Sequence, residues 1–247
     1  MKSIVVLVTL SLAMLVAGCS SSQTDSSSIT VFAAASLKST FTELGSRFEK
    51  DNPGTTVTFN FAGSSDLVTQ LTHGAPADVF ASADTKNMTR AAELVDGEPV
   101  DFATNTLTIV TVPGNPKGIN GFSDLAKPDT QVVVCAPQVP CGSATEKVEE
   151  ATGVTLTPVS EESAVTDVLG KVTSGQADAG LVYVTDAAAA GGKVTAVAFP
   201  ESADAVNTYP IAVLRDSANP EAARRFVDLV TGPAGREVLA AAGFAAP

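Results

Sequence analysis

One histidine, two tyrosines and three cysteines are the whole stock of such side chains in this 247-residue chain. A zinc or other soft-metal centre wants a cluster of ligands, and His73 alone cannot supply one. A serine hydrolase would have to use the same His73 as its general base, and no Gly-x-Ser-x-Gly elbow accompanies it. A ferric-ion site would want clustered Tyr, His and carboxylates, which the chain also lacks. Positive charge is scarce: 15 Lys+Arg stand against 27 Asp+Glu, a net charge of −12. That balance argues against nucleic acid and against an anionic membrane surface as partners. It does not exclude a small anion held by local N–H groups and hydroxyls, because surface charge is screened within about 8 Å at physiological salt. Long apolar runs are missing as well. The stretch at 4–16 holds 13 residues, short of the about 20 that a membrane-spanning helix needs.

That stretch, preceded by Lys2, reads as a signal peptide over residues 1–18. It ends in Leu15-Val-Ala-Gly-Cys19, which resembles the lipobox of bacterial lipoproteins and makes Cys19 the lipidated first residue of the mature chain. Ordinary cleavage near Ala17, leaving Cys19 free, is the alternative. Residues 19–28 then form a serine-rich tether, too polar to pack and expected to be disordered. The expected location is extracytoplasmic, held to the membrane by the lipid. Without Lys2 the balance becomes 14 basic against 27 acidic residues, a net charge of −13. Cys135 and Cys141 remain, six apart in Val134-Cys-Ala-Pro-Gln-Val-Pro-Cys-Gly142. In an exported protein such a pair suggests a disulfide, since metal binding would want more ligands.

One device occurs twice: an extended apolar run ending in a serine where a helix should begin. The two copies are Ile29-Thr-Val-Phe-Ala-Ala-Ala-Ser36-Leu37 and Val57-Thr-Phe-Asn-Phe-Ala-Gly-Ser64-Ser65-Asp66-Leu67. Such a serine can cap its helix, and the turn also leaves backbone N–H groups and a hydroxyl pointing off the sheet edge. Two of these turns facing each other make a site for a tetrahedral anion without lysine or arginine.

Beyond the tether the pattern alternates strand and helix, an α/β fold with largely parallel sheets. Strands are predicted at 29–33, 56–61, 79–82, 107–112, 132–135, 179–184, 194–199 and 211–214. Leu37, Phe41, Leu44 and Phe48 carry an amphipathic helical stripe, and further helices are predicted at 65–73, 87–94, 143–151, around 165–172, 220–231 and 233–241. The alanine run at 187–190 reads as low complexity. Two crossings, near 107 and near 209, suggest two lobes: 29–106 with 210–247, and 107–209. A single wide doubly wound sheet is the alternative.

Val31-Phe-Ala-Ala-Ala-Ser-Leu37, Phe61-Ala-Gly-Ser-Ser65, Gly74-Ala-Pro-Ala-Asp78 with Ala81-Ser-Ala-Asp84, and Ala177-Asp-Ala-Gly-Leu-Val-Tyr183 with Thr185-Asp-Ala187 resemble, in order and spacing, periplasmic molybdate-binding proteins of ABC transporters. Gly232-Pro-Ala-Gly and Gly243-Phe244 extend the likeness to the C-terminus. The resemblance implies a two-lobed, type II periplasmic-binding-protein-like fold, each lobe a mostly parallel sheet flanked by helices. The ligand, molybdate or tungstate, would lie in the interlobe cleft and be delivered to an ABC permease by a monomer with no cofactor and no enzymatic activity. By position the family's ligand donors fall on the hydroxyls of Ser36 and Ser64, the N–H groups of Cys141 and Val165, and the hydroxyl of Tyr183. Cys141 departs from the small residue usual there, and a disulfide could stiffen its loop.

The other notable residues have plainer expectations. Asp78 and Asp84 suit turn and helix-cap positions, His73 a helix C-terminus, Lys38 and Arg47 a solvated face, and Tyr209 a strand edge near the crossing. Val165 is expected to bury its side chain and offer only its N–H. From physics alone the ligand could also be sulfate or phosphate.

Overall fold

The computed structural model describes residues 27–247; the leader, Cys19 and the first part of the tether lie outside the described residues. Ser27 and Ser28, expected to belong to the tether, instead open the first strand. The Ser27 hydroxyl meets Thr55 Oγ1 at 2.9 Å, and the Ser28 carbonyl accepts from Asn219 Nδ2 at 2.7 Å, so polar partners hold them in the ladder.

The first sheet contains β1 (Ser27–Ala34), β2 (Thr55–Ala62), β3 (Val79–Ala81) and β4 (Val100–Asn105). The second contains β5 (Leu107–Thr111), β6 (Val132–Cys135), β7 (Ser160–Glu162), β8 (Ala179–Tyr183) and β9 (Thr195–Val197). The chain then returns to the first sheet through β10 (Asn207–Val213). Helices α1 (Lys38–Asp51), α2 (Ser64–Thr72) and α3 (Thr85–Arg90) follow β1, β2 and β3. Helices α4 (Pro140–Thr152), α5 (Val165–Thr173) and α6 (Val184–Ala190) follow β6, β7 and β8, and α7 (Pro220–Thr231) and α8 (Pro233–Ala241) close the chain.

The strand orders are β2-β1-β3-β10-β4 and β7-β6-β8-β5-β9. Two sheets, not one wide one, form the two lobes. Both are mixed rather than mostly parallel. β2-β1-β3 and β7-β6-β8 are parallel, as strand-helix-strand crossovers require, whereas β10 and β5 run antiparallel to both neighbours. The antiparallel half of each sheet is built by the segments that carry the chain between lobes. The return strand begins at Asn207, before position 210.

The sheet residues alternate between two buried faces. Ile29, Val31 and Ala33 of β1 pack with Phe41, Leu44 and Phe48 of α1 and with Phe226 of α7, while Phe32 points into a second layer with Leu67, Val68 and Leu71 of α2. The second lobe has its own core, built on Ile109, Val133, Leu181, Val148, Val168 and Val172. Strands β4 and β7 were not evident from the sequence, since Val100, Asp101 and the Ser160–Glu162 stretch carry little apolar pattern. The alanine run proved to be helical, within α6. Alanine has the strongest helix propensity and needs no periodic stripe to fold so. Among the described residues no helix is long and apolar enough to cross a membrane, and no group of His, Cys, Asp and Glu could hold a metal ion.

Cys135, the last residue of β6, is joined by a disulfide to Cys141 in the first turn of α4. The loop between them folds back so closely that a Cβ on Gly142 would lie 2.0 Å from the Ala136 carbonyl oxygen. Two constraints thus fix where α4 begins. The disulfide should constrain the unfolded chain by about 2 kcal/mol. Replacing both cysteines by alanine is expected to lower Tm by about 4–8 °C, with peptide mapping under non-reducing conditions showing the linked pair in the parent chain. Free, alkylatable thiols in exported material would contradict it.

Candidate functional site

Every strand-to-helix turn on the facing edges of the two lobes starts a helix, and four of those starts converge. A short 3-10 turn, Ala35–Leu37, leads from β1 into α1, and α2, α4 and α5 begin at Ser64, Pro140 and Val165. In none of the four does a side chain cap the N-terminus. The first N–H groups of a helix have no intrahelical acceptor. In α2 the Gly63 carbonyl is taken by the N–H groups of Asp66 and Leu67, and in α5 the Ala164 carbonyl by those of Asp167 and Val168. The N–H groups of Ser64, Val165 and Cys141 therefore point out of their helices.

The three residues that carry them line one cavity. Ser36, Ser64, Cys141, Val165 and Tyr183 all line it, with Ala34, Ala35, Gly63, Ala83, Val139 and Pro140 completing the wall. The structure thus brings together the five residues expected to carry ligand donors. No lining residue is charged, and the free space is about 10 Å³, enough for the centre of about one small sphere. A larger hollow of about 650 Å³ adjoins it at Ala35 and Ser36 and runs between α1, α5, α6 and the end of α8. It is too wide to strip water from a single small ion.

The hydroxyls are arranged as donors. Ser64 Oγ accepts the Ala83 N–H at 3.0 Å, which leaves its own hydrogen free. Neither serine caps its helix. Ser64 sits one residue inside α2, after Gly63, so the cap expected as the plain alternative is not made. Ser36 Oγ shares a hydrogen bond of 3.1 Å with Tyr209 Oη. Tyr183 Oη accepts from Asn207 Nδ2 at 3.0 Å. Burial, with Tyr209, Asp84 and Asp186 nearby, pushes the Tyr183 hydroxyl well above the usual phenol value, so it keeps its proton. Asp186 in α6 accepts the Tyr183 N–H at 3.1 Å, and burial raises its carboxyl to about 7. Ser65 Oγ, one residue further into α2, is buried without any hydrogen-bond partner. The start of α2 thus holds donor capacity that the protein does not itself use.

No histidine, carboxylate or free thiol lines the cavity. His73 follows the last residue of α2, about 13 Å along the helix axis from its start, where Nδ1 lies 2.7 Å from the Thr69 carbonyl oxygen. Asp84 caps α3 through the Asn87 N–H at 2.7 Å, and Asp78 ties Thr30, Ser217 and Asn219 together. Val165 buries its side chain in the second core, and Arg47 pairs with Glu43 on the exposed face of α1.

Tyr209 departs from expectation. It is fully buried between β3 and β4 rather than at an edge, with its ring against Tyr183 at 5.9 Å between centroids. Asn207 was also missed. Its side chain donates to the Ala83 carbonyl at 2.8 Å, to Tyr183 Oη, and to the Pro140 carbonyl at 3.4 Å. A lone asparagine carries no sequence signal for such a role. Gly63 could have been found from its place in Phe61-Ala-Gly-Ser-Ser65. A Cβ there would lie 2.0 Å from the Ser163 carbonyl oxygen in the other lobe, and its φ of −60° shows that space, not conformation, demands glycine. Gly63→Ala should hold the lobes apart while each core stays intact. Small-angle scattering is expected to give a larger radius of gyration than for the parent chain, at nearly unchanged Tm; an equal radius would mean that this contact does not limit closure.

Comparison with known proteins agrees with this architecture. The family of bacterial extracellular solute-binding proteins matches residues 29–245. The molybdate-binding protein ModA of Mycobacterium tuberculosis (strain H37Rv) is 60% identical over 222 residues, which is 89% of this chain and 85% of that protein. Among solved structures, the periplasmic molybdate-binding protein of Azotobacter vinelandii superposes with a TM-score of 0.78 at 23% identity, over 89% of this chain and 99% of that one. The sulfate-binding protein SubI of Mycobacterium tuberculosis gives 0.77 at 21% identity, over 88% and 86%. At such identities the two structures share the fold, and the fold does not choose between their ligands.

Proposed function

The chain belongs to the bacterial extracellular solute-binding proteins, and from that premise we propose that it captures molybdate, and tungstate with it, outside the cytoplasmic membrane and delivers the dianion to an ABC permease. One observation carries the anion reading: uncapped helix N-termini and proton-bearing hydroxyls converge on a small cavity without a single charged side chain. Each helix start brings a partial positive charge of about half a unit, and its N–H groups are already oriented. Neutral, pre-oriented donors suit a carrier that must let go of its cargo, because release has no lysine or arginine ion pair to break. The 60% identity to a molybdate-binding protein favours molybdate over the sulfate that a neighbour of the same fold binds. Sulfate has the same charge and shape with shorter bonds to oxygen, so cavity size is the natural discriminator.

In this reading the donors are the hydroxyls of Ser36, Ser64 and Tyr183 and the N–H groups of Cys141 and Val165. Losing one hydrogen bond to a charged group costs about 1.5–3 kcal/mol, which is about ten- to a hundredfold in affinity. Ser36→Ala, Ser64→Ala and Tyr183→Phe should each weaken molybdate binding by that factor in calorimetry, with tungstate, sulfate and phosphate as comparators. Neither serine caps a helix, but Ser64→Ala takes the acceptor from the Ala83 N–H and Ser36→Ala the partner of the Tyr209 hydroxyl, so each apo serine variant should also lose about 1–3 kcal/mol of stability. Early melting with normal binding would place the oxyanion elsewhere.

We also propose that Cys19 carries the lipid anchor and that the protein works as a monomer. The lipobox-like Leu15-Val-Ala-Gly-Cys19 and the polar segment after it support the anchor. Since one acyl chain binds a membrane only marginally, stable anchoring implies at least a second. Cys19→Ser should move the protein from the membrane fraction to the soluble or secreted one. Unchanged fractionation would exclude lipidation at this cysteine.

A further inference from the structure

The two strand connections between the lobes meet at a pair of asparagines. Asn105 ends β4 and Asn207 begins β10, and the two stand directly opposite each other in the ladder. Both are buried. Asn105 Nδ2 reaches across to Thr185 Oγ1 at 2.8 Å, and its Oδ1 accepts the Thr106 N–H at 3.0 Å. Asn207 Nδ2 faces the carbonyl oxygens of Ala83 in one lobe and Pro140 in the other, and between them Tyr183 Oη. The Ala83 carbonyl oxygen at 2.8 Å can only be met by the amide NH₂, which fixes its orientation. The second amide hydrogen meets the Tyr183 oxygen at 3.0 Å, which must then accept, and the 3.4 Å approach to the Pro140 carbonyl is at most a shared contact. The phenolic hydrogen is then left for something else.

Two residues on, Tyr209 lies on the same face of β10 and holds Ser36 Oγ through its own hydroxyl at 3.1 Å. The same strand thus touches both a hydroxyl of one lobe, that of Ser36, and a hydroxyl of the other, that of Tyr183. Neither Asn207 nor Tyr209 lines the cavity.

We infer that Asn207 and Tyr209 are positioning residues for the anion site: the returning strand orients the Ser36 hydroxyl within its own lobe through Tyr209, and the Tyr183 hydroxyl of the other lobe through Asn207 when the lobes are closed. This rests on the oxyanion reading above. An ion that uses the Tyr183 hydroxyl favours the closed arrangement in which Asn207 aligns it, so binding and closure are linked through the strand that joins the lobes.

The test is a pair of double-mutant cycles read by molybdate calorimetry on the full mature chain, with apo melting as a check on folding. Asn207→Ala and Tyr209→Phe should each weaken binding about tenfold although neither residue lines the cavity. Asn207→Ala should cost at most twofold once Tyr183→Phe is present, and Tyr209→Phe at most twofold once Ser36→Ala is present. The crossed combination of Asn207→Ala with Ser36→Ala should multiply, whereas Tyr209 and Tyr183 are in ring contact and are not used as a control. A merely structural role would weaken binding by the same factor in every background. Multiplicative effects in either direct cycle, or parent-like affinity of either single variant, would overturn the inference. Should Asn207→Ala not fold, Tyr209→Phe, which removes only a hydroxyl, carries the test through the Ser36 cycle. If the parent chain itself binds no molybdate, tungstate, sulfate or phosphate, the oxyanion reading falls, and the inference with it. A parent that binds while the cycles multiply leaves that reading standing and removes only the positioning role.

Discussion

Backbone N–H groups without an acceptor, at four helix starts that face one another across a narrow gap, are the constraint on which the rest of this molecule depends. Buried and unpaired, each would cost about 1–3 kcal/mol. A fold that gathers several of them in one place is stable only if that place is wet or holds an acceptor. The cavity lined by Ser36, Ser64, Cys141, Val165 and Tyr183 is where they gather. An anion is the partner that meets the unpaired donors and the helix dipoles together.

Much of the remaining architecture follows from bringing those starts close. The lobes approach so tightly that Gly63 and the Ser163 carbonyl leave no room for a methyl group. The start of α4 is held by Gly142 and by the Cys135–Cys141 disulfide, so its N–H groups do not wander as the loop moves. Proline at the first position of α4 fits the same logic, since it gives up an N–H that would be unpaired and leaves Cys141 as the first donor. The acidic surface does not interfere, because the site is desolvated and short-range while the carboxylates are dispersed and screened. In the interior, burial raises the Asp186 carboxyl beside Tyr183 to about 7.

Sequence reasoning was strong where periodicity is local. The strand over Val132–Cys135 and the helices Pro220–Thr231 and Pro233–Ala241 were legible to the residue, because proline starts and apolar spacing mark them. It was weak where the pattern comes from partners. β4 is a strand because β10 pairs with it, and β7 because β6 does; the side chains of neither announce it. α6 was hidden because alanines carry no stripe. Parallel pairing was overestimated, since the direction of a crossing strand is set by where the chain must go next.

The amino-acid sequence by itself determined the class of fold, the elements with strong local periodicity, and the resemblance to a solute-binding family. Those properties are local, or are written in ordered motifs such as Phe61-Ala-Gly-Ser-Ser65 and Ala177-Asp-Ala-Gly-Leu-Val-Tyr183. Only the tertiary structure decided that Asn207 and Tyr209 lie behind the site, and that Gly63 is there to let the other lobe in. The hydroxyls of Ser36 and Tyr183 are 147 residues apart in sequence, yet both are hydrogen-bonded to one strand. Such a link depends on register across two lobes, and register is a property of the assembled sheets rather than of any segment.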